Sequence, residues 1–180
     1  MRIIPIFAPR LFSIQYDAAN PSEFERLFDD WQDPELLYQF FTENEADLTS
    51  GFFGTISIEQ AALKTRAEAR KLEEKLSKIA ISTSKSLDEV FIPLRNYGQE
   101  IEPFPAKKAY GETDKTWLRI YALKIEPSAY LVTGGAIKLT KSMSQRDHTK
   151  AEIGKIDRCK TFLKEQGVGD FDGVLELSFE

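Results

Sequence analysis

Four side chains suited to meeting a phosphate, Arg119, Tyr121, Lys124 and Lys138, fall on two β-rich runs at 117–125 and 130–140. Cations spaced along strands can line up on one sheet face, and such a face suits a phosphate backbone better than a hydrophobic core. Arg119 can grip phosphate oxygens through two parallel donors, a geometry that lysine lacks. Tyr121 can stack on a base or donate a proton. Lys141, Arg146, His148 and Lys150 follow the second run, where a substrate strand can pass. Plainer roles stay open for each. Arg119 is in phase with Trp117 and Leu123, as an edge residue paired with an acid would be. Lys138 lies between Ile137 and Leu139, as a solvent-facing strand residue does. Tyr121 suits packing, and His148 suits a bare surface just before a helix.

The charge distribution sets this block apart from its surroundings. The chain has a net charge of −5, yet residues 107–166 hold 13 Lys and Arg against 7 Asp and Glu. Residues 1–106 hold 11 against 18, and the tail from 167 adds four acids. Only the second half is electrostatically ready for nucleic acid. Other chemistries find little support. One histidine, His148, and one cysteine, Cys159, exclude a rich His/Cys metal site and an internal disulfide framework. Cys159 reads as a small hydrophobe on a helix rather than a nucleophile. There is no phosphate-binding glycine loop and no G-x-S-x-G. Asp29, Asp30, Asp33 and Glu35 could form a carboxylate site, but helix capping already explains them. No cofactor is expected. The apolar runs are far too short for a membrane span, and Pro5 and Pro9 interrupt the apolar start, so neither a signal peptide nor a membrane partner is expected. The lone cysteine fits a reducing, cytoplasmic setting.

The elements that must position these residues follow from periodicity. At 180 residues, 42% of them hydrophobic, the chain fits one domain with a real core. Residues 3–7 and 11–16 predict short strands, the second alternating Phe12, Ile14 and Tyr16 against Ser13 and Gln15. Asn20 as cap and Pro21 at the first position predict a helix whose stripe is Phe24, Leu27, Phe28 and Trp31. Asp33-Pro34-Glu35 opens another, with Leu36, Leu37, Phe40 and Phe41 as its stripe. From Asp29 to Asp47 there are seven acids and no basic residue. That segment is either a solvated helical face or an acidic insert, at about 20–55, that covers the basic face as a nucleic-acid mimic.

Ser57 to Gln60 forms a capping box, and a long helix runs to about Ala80. Its heptad-like seam of Ile58, Ala62, Thr65, Ala69, Leu72, Leu76 and Ile79 packs onto a sheet or forms a coiled coil. Residues 90–93 predict a short strand that Pro93 confines to an edge or end, and 95–116 read as loop. In the run 117–125, Trp117, Arg119, Tyr121, Leu123 and Ile125 share one face. Gly134-Gly135 marks a bulge or bend in the next strand. Thr149 caps a helix with Ile153, Ile156, Cys159 and Leu163 inward, and Leu175, Leu177 and Phe179 alternate as a last strand. The architecture expected is α+β: a small, mainly antiparallel sheet with N-terminal helices on one face and a C-terminal helix at its edge.

The order strand, strand, basic loop, helix resembles the C-terminal half of the RelE/HigB family of bacterial toxins. The resemblance rests on Trp117-Leu118-Arg119-Ile120-Tyr121 and on the run from Leu131 through Gly134, Gly135, Lys138 and Thr140. It implies a toxin held silent by an antitoxin protein, cutting mRNA on the ribosome without a metal. In that reaction the ribose 2′-OH attacks the adjacent phosphate, and cations stabilise the charge that develops. Lys138 aligns with the first lysine of the family's Lys-Lys-Thr element. As an ammonium it would neutralise the phosphate, and with a lowered pKa it could serve as the base. The resemblance makes Arg119, Tyr121 and His148 its companions, with Lys124, Lys141, Arg146 and Lys150 as RNA contacts. The second lysine of that element is Leu139 here, so a non-catalytic protein binding RNA or a protein partner is the alternative.

Overall fold

The structure, a computed structural model, describes residues 1–94, 103–112 and 115–180. In chain order the elements begin with strands β1 (Arg2–Phe7) and β2 (Leu11–Gln15). Helices α1 (Glu23–Asp30), α2 (Pro34–Glu43), α3 (Glu45–Leu48) and α4 (Ile58–Ile81) follow. Strands β3 (Ile92–Pro93), β4 (Ala106–Tyr110), β5 (Leu118–Glu126) and β6 (Ala129–Ile137) precede helices α5 (Asp147–Glu165) and α6 (Phe171–Leu177). The strands form one sheet in the order β1-β2-β6-β5-β4-β3, antiparallel except where β2 runs parallel to β6. The fold is α+β, as expected. Among the described residues, no helix is long and apolar enough to cross a membrane.

Two cores flank the sheet. Leu27, Phe28, Trp31, Leu37, Phe41, Leu72 and Leu76 pack with Leu118, Ile120 and Val132 on one face. Tyr121, Leu123 and Leu131 pack with Ile156, Cys159, Leu163 and Val174 on the other. Strand β2 is therefore buried on both sides rather than half-buried: even Ser13 is enclosed, its Oγ accepting from the Phe24 amide at 2.9 Å. Likewise α5 lies across the second face, on β6 and β5, rather than at the sheet's edge. The α4 seam packs against α2 and the sheet, with Ala62 through Ile79 buried and Ile58 partly exposed. Cys159 is fully buried, and burial pushes its thiol up to about 12, which suits packing and not nucleophilic attack.

Several boundaries differ from the sequence reading for definable reasons. Helix α1 is capped by Ser22, not Asn20: Ser22 and Glu25 form the reciprocal box, while Pro21 stays outside. On α2, Leu37 and Phe41 face the core but Leu36 stays 46% exposed. Within 95–116, residues 106–110 form β4; the loop reading of 95–102 and 113–114 lies outside the described residues. Trp117 precedes β5, so the strand's alternation does not extend to it. Its indole turns to the helices, donating to Thr65 Oγ1 at 2.9 Å. The β6 bulge falls at Thr133, beside the glycine pair. Helix α5 begins at Asp147, and Thr149 Oγ1 donates back to Met143 and Arg146 carbonyls instead of capping. The expected last strand is helix α6. Asp170 caps it, accepting from the Gly173 amide at 3.0 Å, and the spacing of Phe171, Val174 and Leu175 overrides the alternation.

Candidate nucleic-acid interface

The register of β4, β5 and β6 builds the site. Lys108 lies opposite Tyr121, and Tyr110 opposite Arg119. Arg119 in turn lies opposite Ala136, and Tyr121 opposite Gly134. Because directly opposed residues share a face, these side chains all rise on the α5 side of the sheet. They open into a concavity of about 440 Å³, rimmed by Lys138, Lys141 and the Ser142–Ser144 turn. Among the described residues its lining carries four cations, Lys108, Arg119, Lys138 and Lys141, and no carboxylate.

Arg119 is held by the fold rather than by an acid. Its guanidinium lies 4.0 Å from the centre of the Tyr110 ring, and Nη1 donates to the carbonyls of Thr116 at 3.0 Å and Leu118 at 2.7 Å. No ion pair with a carboxylate of the described residues occupies it, and its side chain lines the cavity. Burial lowers its pKa below the ordinary arginine value. Lys108 Nζ lies 5.2 Å from the same Tyr110 ring. Lys138 Nζ donates to the Lys141 carbonyl at 2.5 Å. Burial, and then the nearby charges of Arg119 and Lys108, lowers its pKa. Tyr121 is 1% exposed, and burial pushes its phenol up, so at neutral pH it can donate a proton but not serve as a phenolate. The cavity can thus hold an anionic oxygen cluster among fixed donors, with one depressed ammonium and one phenol beside it.

Four of the eight residues expected from sequence converge here: Arg119, Tyr121, Lys138 and Lys141. The others are placed elsewhere. Lys124 lies on the opposite face, its Nζ 2.8 Å from Asp88. Arg146 is locked to Asp47 through Nε at 2.6 Å and Nη2 at 2.5 Å. His148 sits in a second groove beyond β6, with Nε2 3.0 Å from the Ile137 carbonyl and its ring edge-on to Phe40. Lys150 is exposed on α5 and lines neither cavity. The acidic segment does not cover the site either. Residues 29–47 contribute nothing to its lining; they meet the basic block elsewhere, Phe40 at His148, Phe41 at Trp117 and Asp47 at Arg146.

Lys108 and Tyr110 were not found from sequence. The available signal was the five-residue run Ala106-Lys107-Lys108-Ala109-Tyr110, bounded by Pro105 and Gly111. Nearby prolines and glycines masked it as loop. Among the described residues, no group of three His, Cys, Asp or Glu side chains is placed to hold a metal ion. Comparison with protein-family models, with curated proteins and with solved structures finds no match to this chain.

Proposed function

We propose that this chain is a RelE/HigB-like toxin, a cytoplasmic endoribonuclease that cuts mRNA on the ribosome and is silenced by an antitoxin protein. One observation carries the reading: Lys108, Arg119, Lys138 and Lys141 meet around Tyr121 in a single open concavity to which no carboxylate of the described residues contributes. A scissile phosphate seated there would have Arg119 on its non-bridging oxygens, where negative charge grows in the transition state. Attack by the 2′-oxygen forms the new P–O bond as the bond to the 5′-oxygen breaks, leaving a 2′,3′-cyclic phosphate. The proton leaving the 2′-OH goes to a base. Lys138, with its lowered pKa, is the group in place to take it, and Tyr121 can return a proton to the 5′-oxygen.

A non-catalytic RNA-binding protein is the second reading. It is favoured by the position of His148, which lies outside the cavity, so that no imidazole of the described residues is there to move protons. Induced expression in growing bacteria separates the two, with wild type beside Lys138→Ala and transcript 5′ ends followed with growth. Growth arrest with new cuts inside translated frames, lost in the mutant, supports the toxin. Intact transcripts and normal growth from soluble protein support the binding module.

A further inference from the structure

Arg119 is seated by a stretch of chain whose side chains do not line the cavity. Its Nη1 donates to the carbonyls of Thr116 at 3.0 Å and Leu118 at 2.7 Å. In an extended strand, carbonyls two residues apart lie roughly 6.6 Å from one another, too far for one nitrogen to reach both so closely. Residues 116–118 are therefore contracted, and the Thr116 side chain supplies the closure: its Oγ1 accepts from the Leu118 amide at 3.2 Å. Trp117, at the middle of this turn, is pinned twice. Its carbonyl accepts from the Lys138 amide at 2.8 Å, and its indole donates to Thr65 Oγ1.

Behind Thr116 stands a buried carboxylate. Glu68 of α4 is 3% exposed, and its Oε2 accepts from Thr116 Oγ1 at 2.6 Å. That bond takes the hydroxyl's one proton, which leaves the oxygen as the acceptor that the Leu118 amide needs. Lys64, one turn earlier on α4, lies 3.5 Å from the other Glu68 oxygen and donates to the Lys115 carbonyl at 3.1 Å. Strand β4 runs close to the same pair. A Cβ on Gly111 would collide with Thr116 Oγ1 and lie 3.0 Å from Glu68 Oε2. The glycine thus lets its neighbour Tyr110 stack on Arg119 without displacing the Thr116 hydroxyl. Burial lowers the Arg119 pKa, and the Glu68 charge is among those that oppose this.

We propose that Glu68 is a positioning residue for Arg119: by orienting the Thr116 hydroxyl it closes the 116–118 turn that holds the guanidinium at the cavity wall. A carboxylate on the helical face of the sheet thereby governs a cation on the other face, through the start of β5. A guanidinium already seated loses little side-chain freedom when it meets phosphate oxygens. That consequence rests on the RNA reading of the cavity; the seating of Arg119 does not.

The test uses NMR of the full chain, isotope-labelled at arginine, with the Arg119 guanidinium signals assigned by their loss in Arg119→Ala. Nη1, held by two carbonyls, should turn slowly about its bond to Cζ in the wild type and in Thr116→Ser. It should turn rapidly in Thr116→Val and Glu68→Met, which nearly keep the volume and lose the bond. Affinity for a short 2′-O-methyl RNA, which cannot be cut, should fall about fivefold in both, the worth of one net hydrogen bond. Thr116→Val should cost nothing more once Arg119→Ala is present, yet its full factor beside Lys138→Ala. Should Glu68→Met fail to fold, Thr116→Val removes the same bond from its other end. Slow turning kept in a folded Thr116→Val or Glu68→Met would overturn the proposal. So would failure of Thr116→Ser to behave as wild type, or an affinity loss that persists beside Arg119→Ala. If Arg119→Ala itself leaves RNA affinity unchanged, the RNA reading falls instead, and the turning rate alone decides how Arg119 is seated.

Discussion

Salt dependence gives the most direct measure of the cation cavity. Four cations line it, and a single RNA strand crossing it would meet Lys108, Arg119, Lys138 and Lys141. For single strands, each neutralised phosphate contributes about −0.7 to the slope of log affinity against log salt, so the cavity predicts a slope of about −3. Lys138→Ala removes one contact and should bring the slope to about −2, with weaker binding at every salt concentration and for every sequence. Lys138 is only partly buried, and its one side-chain hydrogen bond among the described residues is to the exposed Lys141 backbone, so the variant should keep its melting temperature. The assay is fluorescence anisotropy of a short 2′-O-methyl RNA, which binds but cannot be cut. Lys71→Ala, at an exposed position on α4, and Lys124→Ala, whose amine is paired with Asp88, serve as controls and should leave the slope unchanged. An unchanged slope in Lys138→Ala, or an equal loss in Lys71→Ala, would refute the assignment of the cavity as the RNA face.

Three other outcomes follow from the same geometry. If Lys138 is the base, cleavage should rise with pH and level off below the ordinary lysine value of 10.5; Lys138→Ala should lose that rise in a stopped-time RNA cleavage assay. At Asp88, burial works to raise the carboxyl pKa, but hydrogen bonds from Lys124, Tyr130 and the Ser128 amide hold it down at about 2. Its contribution to stability is therefore complete above the ordinary 3.8 and lost as pH falls toward about 2; thermal melts of Asp88→Asn should lack that acid-side decline. At Gly135 an added Cβ would lie 2.6 Å from the Arg119 carbonyl oxygen and 2.8 Å from Leu27. Gly135→Ala should thus cost about 1–3 kcal/mol, read as a lower melting temperature.

The sequence made the α+β class, the long α4 helix and its seam legible, because capping boxes and a repeating apolar stripe are local signals. The pair Arg119 and Lys138 was legible for a similar reason: Arg119 lies on β5 and Lys138 directly follows β6, two long strands whose alternation is a local signal. Lys108 and Tyr110 were not, because five residues between prolines and a glycine carry too little periodicity. They become a strand only through pairing with β5. Arg146 and His148 were misplaced because sequence proximity to the basic strand says nothing about face. The chain turns through Ser142–Ser144 and enters α5, and that turn delivers Arg146 to Asp47 and His148 to Phe40. Helix α6 was hidden because Leu175, Leu177 and Phe179 satisfy a period of two, while the cap at Asp170 lies outside that window.

Helices α1 to α4 of the acidic half and α5 of the basic half are set on different faces of the sheet, and β6 is where they meet. Its glycine pair faces both ways. The space a Cβ would take at Gly135 is filled by Leu27 of α1, and at Gly134 by the Glu152 carboxylate of α5. Helices from both faces can therefore close onto one strand, which fixes α5 close enough for the turn before it to rim the cavity. On the cavity side, β6 sets Gly134 against Tyr121 and Ala136 against Arg119. Larger residues at either position would grow into the space beside the guanidinium. Because Ala136 is small, Arg119 reaches the ligand space rather than being roofed by β6. Gly134 is the position that also lets α5 pack closely, since the Glu152 carboxylate fills the space its Cβ would take.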